Sequence, residues 1–482
     1  MVSPNKETLE REIKFGVEQG FVLPRFSGRR MLPRVFTSTY YDTEGYRLAQ
    51  GGITLRFREE RRKGLWQLKL PKDDARWELE FLGDRQGPPD PVTALLVAHL
   101  HGDRLRPIAR LRTRRTGIHV RDNAGRIADV MVDSVAVLDG RSVSHRFYEV
   151  EIELAGDDTT AARRIEKALR NAGAATSDQR PKVFQALNLA SPTQPTPVLP
   201  TAPPIEHLKA ALQTRVKQLL ARDPGTRIGR DAEDVHQMRV ATRRLRAILR
   251  AVRPMVDDRW AASLRGELAW LGSMLGRVRD VDVLLDHLRK ESATLSFRER
   301  RAIGRWLAEL DQERVEAHGA LVQVLDSQRY LRLLDHIGAA ASAPMVTDST
   351  VRLTDIARTA FKGLQRAMNT GSARASDQRL HRFRLKGKRA RYSAELAEAT
   401  IGKAATRYIR QLQRFQDLLG DYHDAVVAEQ RLRKWAAQAS SSLAVFAFGR
   451  LIERQSERRR ADRARLSKVW MKVQNRGRKA LG

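Results

Sequence analysis

The 482-residue chain contains no cysteine. That excludes disulfides, thiolate metal sites and a cysteine nucleophile, and it is compatible with a reducing interior. Nowhere is there a run of about 18 apolar residues, so no membrane-spanning helix is expected. The opening MVSPNKETLEREIKFG also lacks the apolar stretch of a signal peptide, and a soluble, cytoplasmic protein is the expectation. Glycine-rich phosphate loops of the Walker or Rossmann type are missing. Aromatic residues make up only 6% of the chain, which argues against single-stranded nucleic acid as the partner, because its bases stack on aromatic platforms.

What is present is charge of one sign. Hydrophobic residues are 41% of the chain, enough for packed cores, yet the net charge is +32. Residues 1–200 hold 33 Lys and Arg against 26 Asp and Glu, a balance of +7; the remainder holds 56 against 31, or +25. Such a field draws anions, whether nucleic acid, inorganic polyphosphate or an anionic membrane. Composition alone does not choose among them.

Proline is concentrated rather than scarce. From Leu187 to Pro204 the chain carries six prolines and no charge, which predicts a semi-rigid linker. Ahead of it, REIKFGV, ITLRFRE, LWQLKL, RWELEF, ARLRTRR and FYEVEIEL alternate with period two, the pattern of antiparallel strands. After it, segments such as VHQMRVATRRLRAILRAV carry the 3.6-residue period of helices. An α+β multidomain protein is expected: a β-rich domain over 1–187, a linker over 188–204 and an all-α domain over 205–482.

The helical part repeats. VHQMRVATRRLRAIL aligns with LHRFRLKGKRARYSA at an offset of 145, and LGRVRDVDVLL with LGDYHDAVVAE at an offset of 144. Two pseudo-symmetric helical-bundle repeats, about 205–345 and 346–482, are expected to face each other. Each carries a histidine followed by cations at +3, +7 and +10: His236, Arg239, Arg243 and Arg246, then His381, Arg384, Lys388 and Arg391. These offsets share a helix face, where like charges repel by about 0.2–0.5 kcal/mol per pair unless an anion intervenes. Arg244, Arg389, Arg279 and His423 are expected to extend the two stripes into one basic groove. Asp280, Asp282, Asp421 and Asp424 fit salt bridges that orient Arg and His better than they fit a metal site.

In the first domain, Glu10, Glu12 and Lys14 share a strand face, as do Glu149, Glu151 and Glu153. Arg56 with Arg58, Glu78 with Glu80, and Arg112 with Arg114 are further same-face pairs. Solvated outer faces would account for any one of them. Individual strands nevertheless offer mostly cations or mostly carboxylates, and closing them into a barrel would give a lumen with a cationic and an acidic set. Carboxylates there suit Mg²⁺ or Mn²⁺, and Arg and Lys suit phosphoryl oxygens. Phosphoryl transfer needs positioning and charge neutralisation above all.

Glu10-Arg-Glu12-Ile-Lys14, TYYDT at 39–43, Arg56 and Arg58 in RFR, LKL around Lys69 and the late EVEIEL resemble, in that order, the CYTH family of triphosphate tunnel metalloenzymes, over roughly residues 5–185. The resemblance implies an eight-stranded antiparallel tunnel with accessory helices and hydrolysis of inorganic or related triphosphates. It implies metal binding by Glu10, Glu12, Asp133 (chosen over Asp129), Glu149, Glu151 and Glu153. Phosphate would be held by Lys14, Arg56, Arg58, Lys69, Arg112, Arg114 and Lys182, with the register of RLRTRR open. The histidine-led stripes and LGxVRDxDVLL resemble the CHAD family, over roughly 205–475, which implies binding of inorganic polyphosphate along a basic groove and a place beside polyphosphate granules. A non-catalytic polyphosphate-binding adaptor and a class IV-type adenylate cyclase are the alternatives. Oligomeric state is not legible.

Overall fold

A computed structural model describes residues 4–61, 63–72, 75–122, 125–156, 159–176, 180–190, 198–348, 350–369 and 375–482. The chain divides into two compact units, Met1–Gln194 and Pro195–Gly482. The division falls inside the proline-rich segment, of which 191–197 lie outside the described residues.

The first unit is one antiparallel sheet wrapped into a nearly closed barrel. Its strands are β1 (Lys6–Glu10), β2 (Glu12–Gly16), β3 (Gly28–Arg30), β4 (Arg34–Asp42), β5 (Thr54–Glu60), β6 (Lys63–Lys72), β7 (Ala75–Phe81), β8 (Arg106–Asp122), β9 (Gly125–Asp139), β10 (Ser142–Leu154) and β11 (Ala175–Thr176). The order around the sheet is β1-β7-β6-β5-β4-β8-β9-β10-β2-β11, with β3 added to β8. Eleven strands are thus described where eight were expected. Two of the extra ones, β3 and β11, are pieces of three and two residues; the third arises because the first strand breaks at Arg11. Its N-terminal half pairs with β7 and its C-terminal half with β10, so one bent strand closes the circle.

Alternation fixes what faces where. On β10, Val150 and Ile152 point outward into a core with Phe15, Val130, Ile165 and Leu169, covered by α3 (Thr159–Asn171). Glu149, Glu151 and Glu153 therefore point into the lumen. Helix α4 (Lys182–Ala186) brings Val183 and Phe184 onto Tyr40, Leu111 and Val135, a cluster that Ala49 of α1 (Arg47–Gln50) joins, and α2 (Asp90–Leu100) packs against α1.

The second unit is all helix: α5 (Pro204–Ile228), α6 (Ala232–Ala251), α7 (Asp258–Ser292), α8 (Phe297–Leu325), α9 (Gln328–Ser342), α10 (Leu353–Met368), α11 (Asp377–Leu396), α12 (Glu398–Ile401), α13 (Lys403–Gln438) and α14 (Ser442–Leu481). Neighbours α5/α6, α6/α7 and α7/α8 are matched by α10/α11, α11/α13 and α13/α14, and the two sets meet through α6/α11, α7/α13 and α8/α14. Helices α6 and α11 start and stop at positions exactly one repeat of 145 apart, capped by the side chains of Asp231 and Ser376. Leu285, Leu288, Trp306, Trp435, Phe448 and Leu451 form a core shared by both repeats.

Candidate functional site

Barrel closure turns the polar strand faces inward around a cavity of about 560 Å³. One wall is cationic. Arg56 donates to Gln67 Oε1 at 2.8 Å and to the Tyr40 hydroxyl at 3.2 Å. Arg58 stacks 3.7 Å above the Phe36 ring. Its Nη2 is buried without a hydrogen-bond acceptor, the Glu60 carboxylate standing 3.6 Å away. Burial, then the like charges of Arg56, Arg115 and Arg34, push Arg58 down to about 10, so it stays a cation at neutral pH, with Glu60, itself shared with Arg34, as its counter-charge.

The opposite wall is acidic. Lys69 bridges Glu10 and Glu78, at 2.8 Å from the latter. Burial, reinforced by a hydrogen bond with Glu78, raises Glu10 to about 8, so the two carboxyls share a proton. Lys14 lies 3.3 Å from Glu12 and 3.2 Å from Glu151. Deeper in, Asp133, Glu149 and Glu151 place ligand oxygens within 4.8 Å of one another. The ammonium of Lys182 sits among them, 2.6 Å from Glu151 and 3.1 Å from Asp133 and paired with Glu149. Lys182, expected as a phosphate contact, is instead the counter-ion of the acid cluster.

Two expected cations lie elsewhere. Arg112 and Arg114 are exposed on the barrel's outer face, and Arg115 points inward, donating to Asp133 at 2.8 and 2.7 Å and to Glu151 at 2.6 Å. The reason is a bulge. Counting the β8–β9 hairpin from Asp122 opposite Gly125 would set Arg114 against Asp133, but the irregularity between Val120 and Arg121 moves the partner to Arg115. Gln67, Phe36 and Arg34 also line or support the lumen without having been singled out, as does Glu78, which the alternation marked as a same-face residue without a site role. The hairpin register of β5–β6–β7, which sets Lys69 opposite both Thr54 and Glu78, is the signal that could have found Gln67 and Glu78.

In the helical unit the two stripes converge at their middles. The Lys388 amine is pushed down to about 7, first by burial and then by the positive charges of Arg384, Arg243 and Arg239. Gly276 and Gly420, matched between repeats, lie beneath Arg239 and Arg384: a Cβ on either would come within 3.6 and 3.9 Å of the guanidinium. The rings of His381 and His423 lie 5.3 Å apart, tilted by 48°, and burial with neighbouring Arg384 and His381 lowers His423 to about 4. His236, likewise lowered by burial and then Arg279, keeps Nδ1 buried without a hydrogen-bond partner, as does Arg384 with Nε. Asp280 reaches Arg239 at 3.3 Å, and Asp282 turns away to Arg314 at 2.7 Å. Not every expected cation joins the centre. Arg244 and Arg391 are neutralised by Glu395, at 3.6 and 2.8 Å. Arg246 lies over Gly272 beside Arg265, and Arg389 faces Arg250.

Residues 8–183 match the CYTH domain family and residues 210–433 the CHAD domain family. An uncharacterized protein of Mycobacterium tuberculosis strain H37Rv is 30% identical over 523 residues, covering 98% of each chain. PptA from Streptomyces chartreusis is similar over 56% of this chain and 100% of its own, with 21% identity and a TM-score of 0.46. The CHAD domain from the plant Ricinus communis is similar over 57% and 94%, with 26% identity and a TM-score of 0.45. The bent strand that begins ExExK, the barrel it closes and the duplicated helical unit behind it thus have a full-length relative, and the chain belongs to the family in which a CYTH domain is followed by a CHAD domain.

Proposed function

We propose that the barrel domain hydrolyses inorganic triphosphate, or a related triphosphate, to phosphate and pyrophosphate, and that the helical domain binds inorganic polyphosphate. One observation carries the first half: Arg56, Arg58 and Arg115 line a single cavity together with Glu10, Glu78, Glu151 and Glu153. A bare phosphate chain needs cations for its oxygens, and Arg58 Nη2, buried without an acceptor, is such a donor.

The acids fit a hard divalent cation, because they offer oxygen ligands only, converging from β1, β2 and β10. Glu10, Glu12, Glu151 and Glu153 would hold Mg²⁺ or Mn²⁺, with Asp133 and Glu149 behind them. A bound cation supplies charge neutralisation and Lewis-acid polarisation of the phosphoryl group. The chain's own part is positional: Arg56, Arg58, Lys69 and Arg115 grip the phosphoryl oxygens, Lys14 fixes Glu12 and Glu151, and Phe36 holds Arg58 by its ring face. A phosphate-release assay on triphosphate with Mg²⁺ tests this, with Glu12→Ala expected to lower the rate by about 10²-fold. Equal, metal-independent rates for the two proteins would leave the second reading, a polyphosphate-binding adaptor, which the Lys182 ammonium within the acid cluster favours.

For the helical domain, Arg239, Arg243, Arg384 and Lys388 crowd together with few acids near and few aromatic rings. That suits a phosphate chain better than nucleic acid. An Arg243→Ala, Lys388→Ala protein that kept full polyphosphate affinity would overturn this half.

A further inference from the structure

Because α6 and α11 correspond residue for residue, every contact between them has a counterpart under the pseudo-two-fold. The contact of Arg244 with Glu395 corresponds to Arg389 with Arg250. In the first, the Glu395 carboxylate is held by Arg244 and Arg391, Tyr392 is buried beneath Arg244, and Leu396 is buried beside it. At the counterpart positions, Arg250 replaces Glu395, Ala247 replaces Tyr392 and Ala251 replaces Leu396. A ring, a branched side chain and a carboxylate are therefore missing together from one of two equivalent places.

What they leave is a cavity of about 390 Å³ between α6, α10 and α11. Ala247, Ala251, Ile356 and Ala360 form its apolar floor, and Arg250, Lys386 and Arg389 stand at its edge. None of these three cations has a hydrogen bond or ion pair among the described residues, and Arg250 is also one turn from Arg246. The one acid in the lining, Asp355, is already engaged by Arg352 at 3.1 Å and Arg358 at 2.6 Å. The volume lies within the range of small-molecule sites, which run from about 300 to 1,000 Å³.

We infer that this cavity binds a small amphipathic anion, a ring-sized apolar body carrying one phosphate or carboxylate, at a site separate from the polyphosphate groove. The body takes the place that Tyr392 and Leu396 fill in the other repeat, and the anionic group takes the place of the Glu395 carboxylate, among Arg250, Lys386 and Arg389. The inference stands apart from the triphosphatase and polyphosphate readings.

Calorimetric titration of the full chain with phenyl phosphate tests it, with inorganic phosphate and phenol as separate arms. Saturable binding at least about tenfold tighter than either arm is expected, both parts of the probe being used. Arg250→Glu, which restores the salt bridge to Arg389, and Ala247→Tyr, which refills the floor, should each weaken that component at least about tenfold. Both proteins should melt at or above the wild-type temperature. Inorganic phosphate binding as tightly as phenyl phosphate would reduce the site to an exposed basic patch and overturn the proposal. So would a phenyl phosphate isotherm that both variants leave unchanged, or the absence of saturable binding.

Discussion

A single residue's register decides which arginine of RLRTRR serves the lumen. Arg115→Ala should cut triphosphate turnover by about 10²-fold, and Arg112→Ala by less than about twofold, in the same phosphate-release assay. Lys388 offers a second residue-scale test. Its amine, pushed down to about 7, is charged below that pH and neutral above it. A polyanion binds the charged form, so bound polyphosphate should draw a proton onto Lys388, and affinity should fall as pH rises beyond 7, by at most about tenfold per unit. Fluorescence anisotropy of labelled polyphosphate from pH 6 to 9 would read this, and Lys388→Arg, which stays protonated, should flatten the profile. Much of this scale was legible in the sequence: same-face Glu149, Glu151 and Glu153 follow from period-two alternation. Arg115 was not, because a bulge leaves no mark in the alternation of a run with arginine on both faces. The pairing of Glu10 with Glu78 was hidden too, since it joins strands 68 residues apart.

At the scale of elements, α4 is tied to the barrel by the charge of Lys182 as well as by the packing of Val183 and Phe184. Lys182 compensates three buried carboxylates, and Lys182→Met leaves them short of a cation. A loss of about 3–5 kcal/mol is expected, read as a lowered denaturation midpoint. The helices α6 and α11 show what repetition conveys. Their common period was readable from an offset alone, and so was the facing of the two repeats; the matched caps came with the fold. Their differences could not be weighed without the fold. Ala247 against Tyr392, or Arg250 against Glu395, looks like ordinary drift until the two-fold places each beside its partner.

For the whole molecule, the +25 balance of the second half becomes meaningful only where charge is uncompensated. Many of its cations are paired with acids along α14 and elsewhere, and four crowd the groove centre. If those four displace counterions, the logarithm of polyphosphate affinity should fall with the logarithm of salt at a slope of about −3, using the single-strand coefficient. A slope near zero in a salt titration would place binding elsewhere. Two architectures flanking a proline-rich segment were evident from composition and period; strand number was not, because Arg11 divides what the sequence presents as one strand. That division also bears on biosynthesis. The segment carrying Glu10, Glu12 and Lys14 leaves the ribosome before its partners, which lie at 75–81 and 142–154. At about 5–20 residues per second, it waits on the order of 10 s or more for its second neighbour. The strand that opens the acidic site is therefore seated long after it is made, and a nascent chain halted before residue 142 would hold an open sheet lacking one of its acidic walls.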